Sequence, residues 1–182
     1  MKPAEKTEFS DLVIRMMDEL VVHDYLEEGV WEFLKCIQPD QTMSRSRIKH
    51  FVLIAEMEDQ IIGTIEIREY NHISLFCVEK QYRQRGFGRK LLQRALNLCV
   101  KHNPDLSELS VNALPSSVHI YKRLGFHSEK PEAMGRDILY TPMFLVLSQE
   151  ENFQPLSSDA CEYLLDLTFL YDRGNINSAD LM

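Results

Sequence analysis

The segment 73–102 constrains the fold most, because its hydrophobic pattern changes from strand-like to helical across a loop with two glycines. Residues 73–78 are a mostly apolar run of strand length. Residues 88–102 carry apolar side chains at helical spacing, namely Leu91, Leu92, Ala95, Leu96 and Cys99. Together with the elements before and after it, a strand followed by an amphipathic helix is typical of folds in which helices and a sheet form layers. The segment therefore predicts a layered fold of sheet and helices.

The rest of the pattern predicts an α+β (mixed α/β) fold, with a mostly antiparallel central sheet flanked by helices. Residues 51–56 and 61–68 form a hairpin around a turn at 58–60, and the alternation in 61–68 predicts one buried face. A helix over 116–124 is predicted to begin after Pro115 and to end at Gly125. The remaining predicted elements are strands at 108–112, 126–129 and 138–147, and a loop at 130–137.

The chain of 182 residues is predicted to form a single domain with a C-terminal extension. Helical patterns at 10–38 precede the core at 49–147, so the domain is assigned to residues 1–149. Residues 150–182 are too few for a core of their own. The apolar stretch at 161–171 predicts one short docked helix followed by a flexible tail, with a dimer contact or a lid as the alternative roles of that helix.

Composition excludes several classes of function. The formal net charge of −8 disfavours a nucleic-acid partner and suits a neutral or cationic small molecule. No apolar run has the length of a membrane span, and no signal peptide is visible, so a cytoplasmic protein without a membrane partner is expected. No metal is expected either, because the cysteines lack metal-ligand spacing and fit buried, reduced thiols: Cys36, Cys77, Cys99 and Cys161.

Residues 83–88, Arg-Gln-Arg-Gly-Phe-Gly, have the composition of an anion-binding loop. The first N–H groups of the following helix lack intrahelical acceptors, and glycine allows backbone to approach a phosphate closely. The side chains of Arg83, Arg85 and Arg89 add positive charge. The spacing fits neither a Walker loop nor a dinucleotide-binding fingerprint. Taken alone, the loop also fits a plain helix start with exposed arginines.

The same loop resembles the Arg/Gln-x-x-Gly-x-Gly/Ala motif of the GCN5-related N-acetyltransferase (GNAT) family, and the chain resembles the small bacterial-type GNAT domains. Residues 121–126, Tyr-Lys-Arg-Leu-Gly-Phe, resemble the family's Tyr-x-x-Leu-Gly-Phe signature. Residues 109–112 resemble its fifth strand, and 141–143 resemble the end of its final strand. The resemblance covers about 49–147 in the family's order of elements.

Three departures from the family pattern concern the acceptor side more than the donor side. The family's first strand is not visible before the N-terminal helices. The stretch 114–117, Leu-Pro-Ser-Ser, stands where an asparagine or alanine is common. The extension 150–182 has no general counterpart.

The resemblance implies an N-acetyltransferase that moves an acetyl group from acetyl-CoA to a primary amine of a small molecule or peptide. The amine would attack directly in a ternary complex. A non-catalytic acyl-CoA-binding sensor or interaction module on the same fold is the alternative. Backbone N–H groups of 85–90 would bind the pyrophosphate, and strand 76–78 would pair with the pantetheine arm. The cofactor-binding residues are expected to be Phe76, Cys77, Val78, Arg83, Gln84, Arg85, Gly86, Phe87, Gly88, Arg89, Lys90, Asn112 and Tyr121.

For catalysis, the resemblance implies that Tyr121 is the general acid that protonates the departing thiolate. The candidates for the general base are Glu66, Glu69 and His72, each of which also fits a surface polar residue. His72 occupies the position at which some members of the family carry a basic glutamate. The acceptor stays open among polyamines, amino acids, aminoglycoside-like drugs and peptide N-termini. The acidic charge of the chain favours a cationic acceptor, and a homodimer stays open as an assembly.

Overall fold

The computed structural model describes residues 49–58, 60–128, 130–135 and 138–147, together with the backbone of Thr168–Tyr171. The helices predicted at 10–38 lie outside the described residues. The division into 1–149 and 150–182 stays a prediction.

Seven strands form one mixed, mostly antiparallel sheet, which confirms the predicted fold class. The strand order is β5-β6-β4-β3-β2-β1-β7, and β3 with β4 is the one parallel pair in the described part of the chain. The strands are β1 His50–Met57, β2 Gln60–Arg68, β3 His72–Val78, β4 Glu108–Ala113, β5 Ala133–Gly135, β6 Ile138–Val146 and β7 Thr168–Tyr171.

Two α-helices lie within the described residues, α1 Phe87–His102 and α2 Val118–Arg123. The helix predicted at 116–124 begins instead as a 3₁₀ turn, Pro115–Ser117, with proline at its start. Gly125 has φ of +97°, the left-handed conformation expected where a helix ends.

Helix α1 covers one face of the sheet, which we call the helix face. A Cβ built on Gly63 would lie 3.1 Å from Leu91 Cδ1, so alternate residues of β2 from Gly63 onward point at α1. The apolar stripe predicted on α1 is buried, and it packs with Ile65 and Ile67 into one hydrophobic core.

The other face of β2, which we call the opposite face, is buried as well. Thr64 and Glu66 on that face are 0% and 3% exposed, so the prediction of a single buried face is wrong. Both polar groups are satisfied, which makes their burial tolerable. Thr64 Oγ1 donates to the carbonyl oxygen of Leu53 at 3.0 Å, and Glu66 Oε1 lies 2.8 Å from Nε2 of His50.

Three further expectations for local structure are wrong. At 126–129, described in part, no strand forms beyond a single bridge between His127 and Phe144. The predicted loop at 130–137 contains the short strand β5, which pairs with β6. The helix predicted at 161–171 fails at its end, where Thr168–Tyr171 pairs with β1 as β7; residues 161–167 lie outside the described residues. Short apolar runs do not distinguish strand from helix by periodicity alone.

Candidate functional site

Strands β3 and β4 separate soon after they meet. They pair only at His72 with Ser110 and at Ile73 with Val111. Beyond those two pairs, β3 is bonded to β2 alone and β4 to β6 alone within the described residues. The result is a wedge, which we call the cleft, between 74–78 of β3 and 112–113 of β4. Because successive peptide groups of a strand point to opposite edges, part of the β3 backbone faces this cleft.

A β-bulge marks the start of the cleft. Glu66 pairs with Leu75 and Ile67 pairs with Ile73, so Ser74 is an extra residue on β3. The Ser74 hydroxyl oxygen is buried and has no hydrogen-bond partner in the described part of the chain. Bulges occur frequently beside active sites, where they redirect side chains or end pairing.

The far end of β3 leads through a tight loop to the N-terminus of α1. Gly86 is the N-cap residue with φ of +88°, and nothing lies within 4 Å of the position that its Cβ would take. Gln84 also has positive φ, +62°, which a side chain adopts only at some cost. A Cβ on Gly88 would meet Phe76 at an ordinary 3.5 Å. Of the two loop glycines, only Gly86 needs the conformational freedom of glycine.

The N-terminus of α1 is positively charged and uncapped. No side chain in the described part of the chain caps it, and its first turn contains no acidic residue. Arg85 is exposed and lies over the ring of Tyr82, 5.9 Å from its centroid, while Arg89 and Lys90 lie in the first turn of α1. Helix dipole and side chains therefore both favour an anion here.

Two predicted cofactor-binding residues have structural contacts of their own. Arg83 Nε donates to the carbonyl oxygen of Val78 at 2.9 Å, which ties the loop to the end of β3. The side chain of Phe87 is buried in the core, with its ring edge-on to that of Tyr82. Phe87 can contribute only backbone to a ligand, and Arg83 shapes the loop besides adding charge.

Tyr121 lies beside the cleft on the side of the helix face. Its ring contacts the rings of Phe76, 6.3 Å away between centroids, and Phe126, 5.3 Å away. Burial raises the pKa of Tyr121, and the neighbouring Cys77 raises it further, so the phenol keeps its proton at neutral pH. Cys77 is itself a neutral thiol, because burial raises its pKa to about 12.

His72 lies at the narrow end of the cleft, on the opposite face. Its Nδ1 is 2.9 Å from Ser110 Oγ, and Ser110 Oγ donates to the carbonyl oxygen of Asn71 at 3.0 Å. Since the serine has only one hydroxyl proton, it must accept from Nδ1–H of His72. This arrangement fixes the neutral tautomer and leaves Nε2 as a proton acceptor. Burial lowers the pKa of His72, and the positive charge of Arg68 lowers it further.

The other two candidates for the base have different surroundings. Glu66 is buried and engaged with His50 at 2.8 Å. Glu69 is exposed in the turn between β2 and β3, with φ of +54°. Asn112 is exposed on β4, one residue beyond the last β3–β4 pair. The structure thus brings His72 and Asn112 to the cleft and holds Glu66 in a buried pair.

Sequence reasoning missed four residues that shape this site: Asn71, Ser110, His50 and Arg68. A usable signal existed for Arg68. Arg68 and His72 flank a three-residue turn between antiparallel strands, so they should face each other across the hairpin. No pattern in the sequence signals the contact of His72 with Ser110, because it depends on the parallel β3–β4 register.

Within the residues that the structure describes, no group of three or more His, Cys, Asp or Glu side chains could hold a metal ion. None of the helices in that part of the chain combines the length and the apolar composition needed to cross a bilayer.

The sequence profile of the acetyltransferase (GNAT) domain matches residues 21–147, more than half of the chain. The chain belongs to the GNAT family. No curated protein sequence matches it.

Solved structures share its fold at low sequence identity. A GCN5-related N-acetyltransferase from Rhodopseudomonas palustris is 17% identical with a TM-score of 0.66, covering 81% of this chain and 92% of that one. The PaiA N-acetyltransferase from Thermoplasma acidophilum, in complex with coenzyme A, is 14% identical with a TM-score of 0.67, covering 81% and 96%. An aminoglycoside 6'-N-acetyltransferase complexed with coenzyme A is 14% identical with a TM-score of 0.56, covering 82% and 95%.

The environment of His72 predicts its titration. Because burial and Arg68 both disfavour the imidazolium, the pKa of His72 should lie below the usual value of about 6.5. Arg68→Gln removes one of these causes and should raise the pKa of His72. Arg94→Gln, an exposed change on α1, should leave the pKa of His72 unchanged. NMR titration of the imidazole measures both effects. A pKa of His72 above 7 in the parent protein would contradict the described surroundings.

Proposed function

We propose that this protein is an acetyl-CoA-dependent N-acetyltransferase that acts on a primary amine of a small molecule or peptide. The observation that carries the proposal is the continuity of two features. A cleft between β3 and β4 leads, along β3, to the open, positively charged N-terminus of α1. A long ligand with phosphates at one end and a slender arm at the other fits this arrangement. Coenzyme A in two solved structures of the same fold supports the proposal.

The residues present fit such a donor. The N–H groups at the start of α1 and the side chains of Arg85, Arg89 and Lys90 would bind the pyrophosphate. The open side of Gly86 leaves room for its approach. The β3 backbone from Phe76 to Val78 would pair with amide groups of the pantetheine arm, as an added strand would. Bound there, the donor supplies an activated acetyl thioester.

His72 and Tyr121 have suitable protonation states for the two proton transfers. His72 Nε2 would take the proton that the amine loses as its nitrogen bonds to the acetyl carbon. Tyr121 would give its proton to the sulfur as the carbon–sulfur bond breaks. The base is on the opposite face and the acid on the helix face, so they would act from two sides of the cleft. Ser110 and Asn71 would hold the imidazole in the tautomer that this role requires.

The competing function is a non-catalytic acyl-CoA-binding module on the same fold. It needs the cleft and the loop but neither a proton acceptor nor a proton donor beside them. The fixed tautomer of His72 and the protonated phenol of Tyr121 favour the enzyme. A measurement of thiol release from acetyl-CoA in the presence of an amine separates the two functions.

Acetyl-CoA binding is predicted to depend on the open side of Gly86. At about 100 times its dissociation constant, acetyl-CoA should stabilise the protein by about 2.7 kcal/mol, and the rise in Tm measures this. Gly86→Val places a side chain where the phosphates would bind, so the shift should disappear while the protein still folds.

Gly125→Ala is a control for backbone strain, because Gly125 also has positive φ but lies outside the loop; its added Cβ would in addition lie 3.2 Å from Leu145 Cδ1. It should carry the same kind of backbone strain and still respond to acetyl-CoA. A normal thermal shift for Gly86→Val would place the phosphate site elsewhere.

The proton transfers are predicted to appear in the kinetics of two conservative variants. Tyr121→Phe should lower kcat by about 10²–10⁴-fold with little change in the KM for acetyl-CoA, since only the hydroxyl is removed. His72→Gln should lower kcat/KM and abolish its acidic limb, whereas Glu66→Gln should keep that limb. Steady-state rates of thiol release across pH measure all three. Parent-like rates for Tyr121→Phe would refute its role as the acid, and an intact acidic limb in His72→Gln would refute the base.

A further inference from the structure

A row of polar side chains crosses the opposite face of the sheet beside the cleft, from β1 to β4. It consists of His50, Glu66, Arg68, His72 and Ser110. The carboxylate of the row, Glu66, is buried and engaged with His50 at 2.8 Å. His72 is engaged through Nδ1 with Ser110. Among the described residues, Arg68 forms no ion pair with the carboxylate of this row.

Arg68 and His72 lie directly opposite each other in the β2–β3 register. Side chains at such positions share one face, with Cβ atoms about 4.5–5.5 Å apart. The lowered pKa of His72 has the charge of Arg68 as one of its causes, which agrees with this proximity. One small ligand could therefore contact both side chains, with the group bound by Arg68 only a few bonds away from the group that lies beside His72.

The Arg68 guanidinium carries an N–H group that no hydrogen bond satisfies among the described residues. The side chain is half-buried, and its Nε is buried without a hydrogen-bond partner in the described part of the chain. Arg83 shows the contrast, because its Nε donates to a carbonyl oxygen at 2.9 Å. A buried N–H that is left unbonded is unfavourable, and a carboxylate is the ligand that matches the guanidinium fork.

We propose that Arg68 binds a carboxylate of the acceptor, so that the acceptor belongs to the α-amino acids or to compounds with an amine and a carboxylate on neighbouring carbons. This inference rests on the proposed function and narrows its acceptor. With the carboxylate held by Arg68, the adjacent amine would lie beside Nε2 of His72. Arg68 also disfavours a second positive charge at the same place, which opposes purely cationic acceptors.

The charge of Arg68 beside His72 matters more for the choice of acceptor than the net charge of the whole chain. The net charge of −8 led to the expectation of a cationic acceptor. Exposed charges further than about 8–10 Å from the acceptor are largely screened at physiological salt. Arg68 lies on the strand next to His72 and is half-buried, so its field is screened much less. The one carboxylate in this row is already engaged with His50.

The test compares amines that differ by one carboxylate. The parent protein is assayed with phenylalanine against 2-phenylethylamine and with lysine against cadaverine, and kcat/KM is measured by thiol release. We expect the carboxylate-bearing member to be preferred by at least about tenfold in one of the pairs. Equal or better use of the decarboxylated amine in both pairs would overturn the inference.

Variants separate binding of the carboxylate from a merely structural role. Arg68→Gln should lower kcat/KM for the amino acid by about 10- to 100-fold, and it should leave kcat/KM for the amine unchanged or raise it, because the opposing positive charge is gone. Arg68→Lys should recover part of the preference, and Arg94→Gln, exposed on α1, should change neither value. An equal loss for both members of a pair in Arg68→Gln would show a structural role and overturn the inference.

Failure of the proposed function has a different signature. If the parent acetylates neither member of any pair, the inference falls. A thermal shift with acetyl-CoA then shows whether donor binding stands without this class of acceptor or whether the proposed function fails as a whole. If the amines are acetylated but the carboxylate brings no preference, the proposed function stands and only the role of Arg68 is wrong.

Discussion

The short parallel contact between β3 and β4 determines the geometry of the candidate site. It lasts for two residue pairs, and the strands then separate instead of completing a ladder. Continued pairing would satisfy more backbone hydrogen bonds, so an opening in the middle of a sheet has an energetic cost. The bulge at Ser74 marks the start of this opening, and the Arg83 contact with Val78 fixes the end of β3 on its far side. Both features lie where β3 diverges from β4.

The cleft separates two chemical environments. On the helix face, Tyr121 is packed among Phe76 and Phe126, and burial keeps its phenol protonated. On the opposite face, polar side chains form the row that includes His72 and Arg68. Three buried side-chain atoms lack a hydrogen-bond partner in the described residues: Ser74 Oγ at the bulge, Arg68 Nε on the strand beside His72, and His102 Nε2 at the end of α1.

The sequence pattern was sufficient to place most elements of the described core. The stripe of α1 and the strands β1 to β4 and β6 were predicted within a few residues, and the glycine loop was placed at the start of the helix that it precedes. Periodicity gave the wrong result where the environment of a residue is set by residues that are distant in the sequence. Polar Thr64 and Glu66 are buried because each finds a partner on β1, which their own residue types do not show. Likewise, Thr168–Tyr171 is a strand because the edge of β1 pairs with it.

The central claim is that the cleft and the N-terminus of α1 form one binding site for a CoA thioester. Backbone amide hydrogen exchange, measured with and without acetyl-CoA, tests this claim most directly, because the claim names particular N–H groups as the ligand's partners. Added acetyl-CoA is expected to slow exchange at 76–78 of β3 and at 86–89 at the start of α1, with little change at the edge strand β5. Unchanged exchange in both of the first two segments at saturating acetyl-CoA would mean that the donor binds elsewhere or not at all.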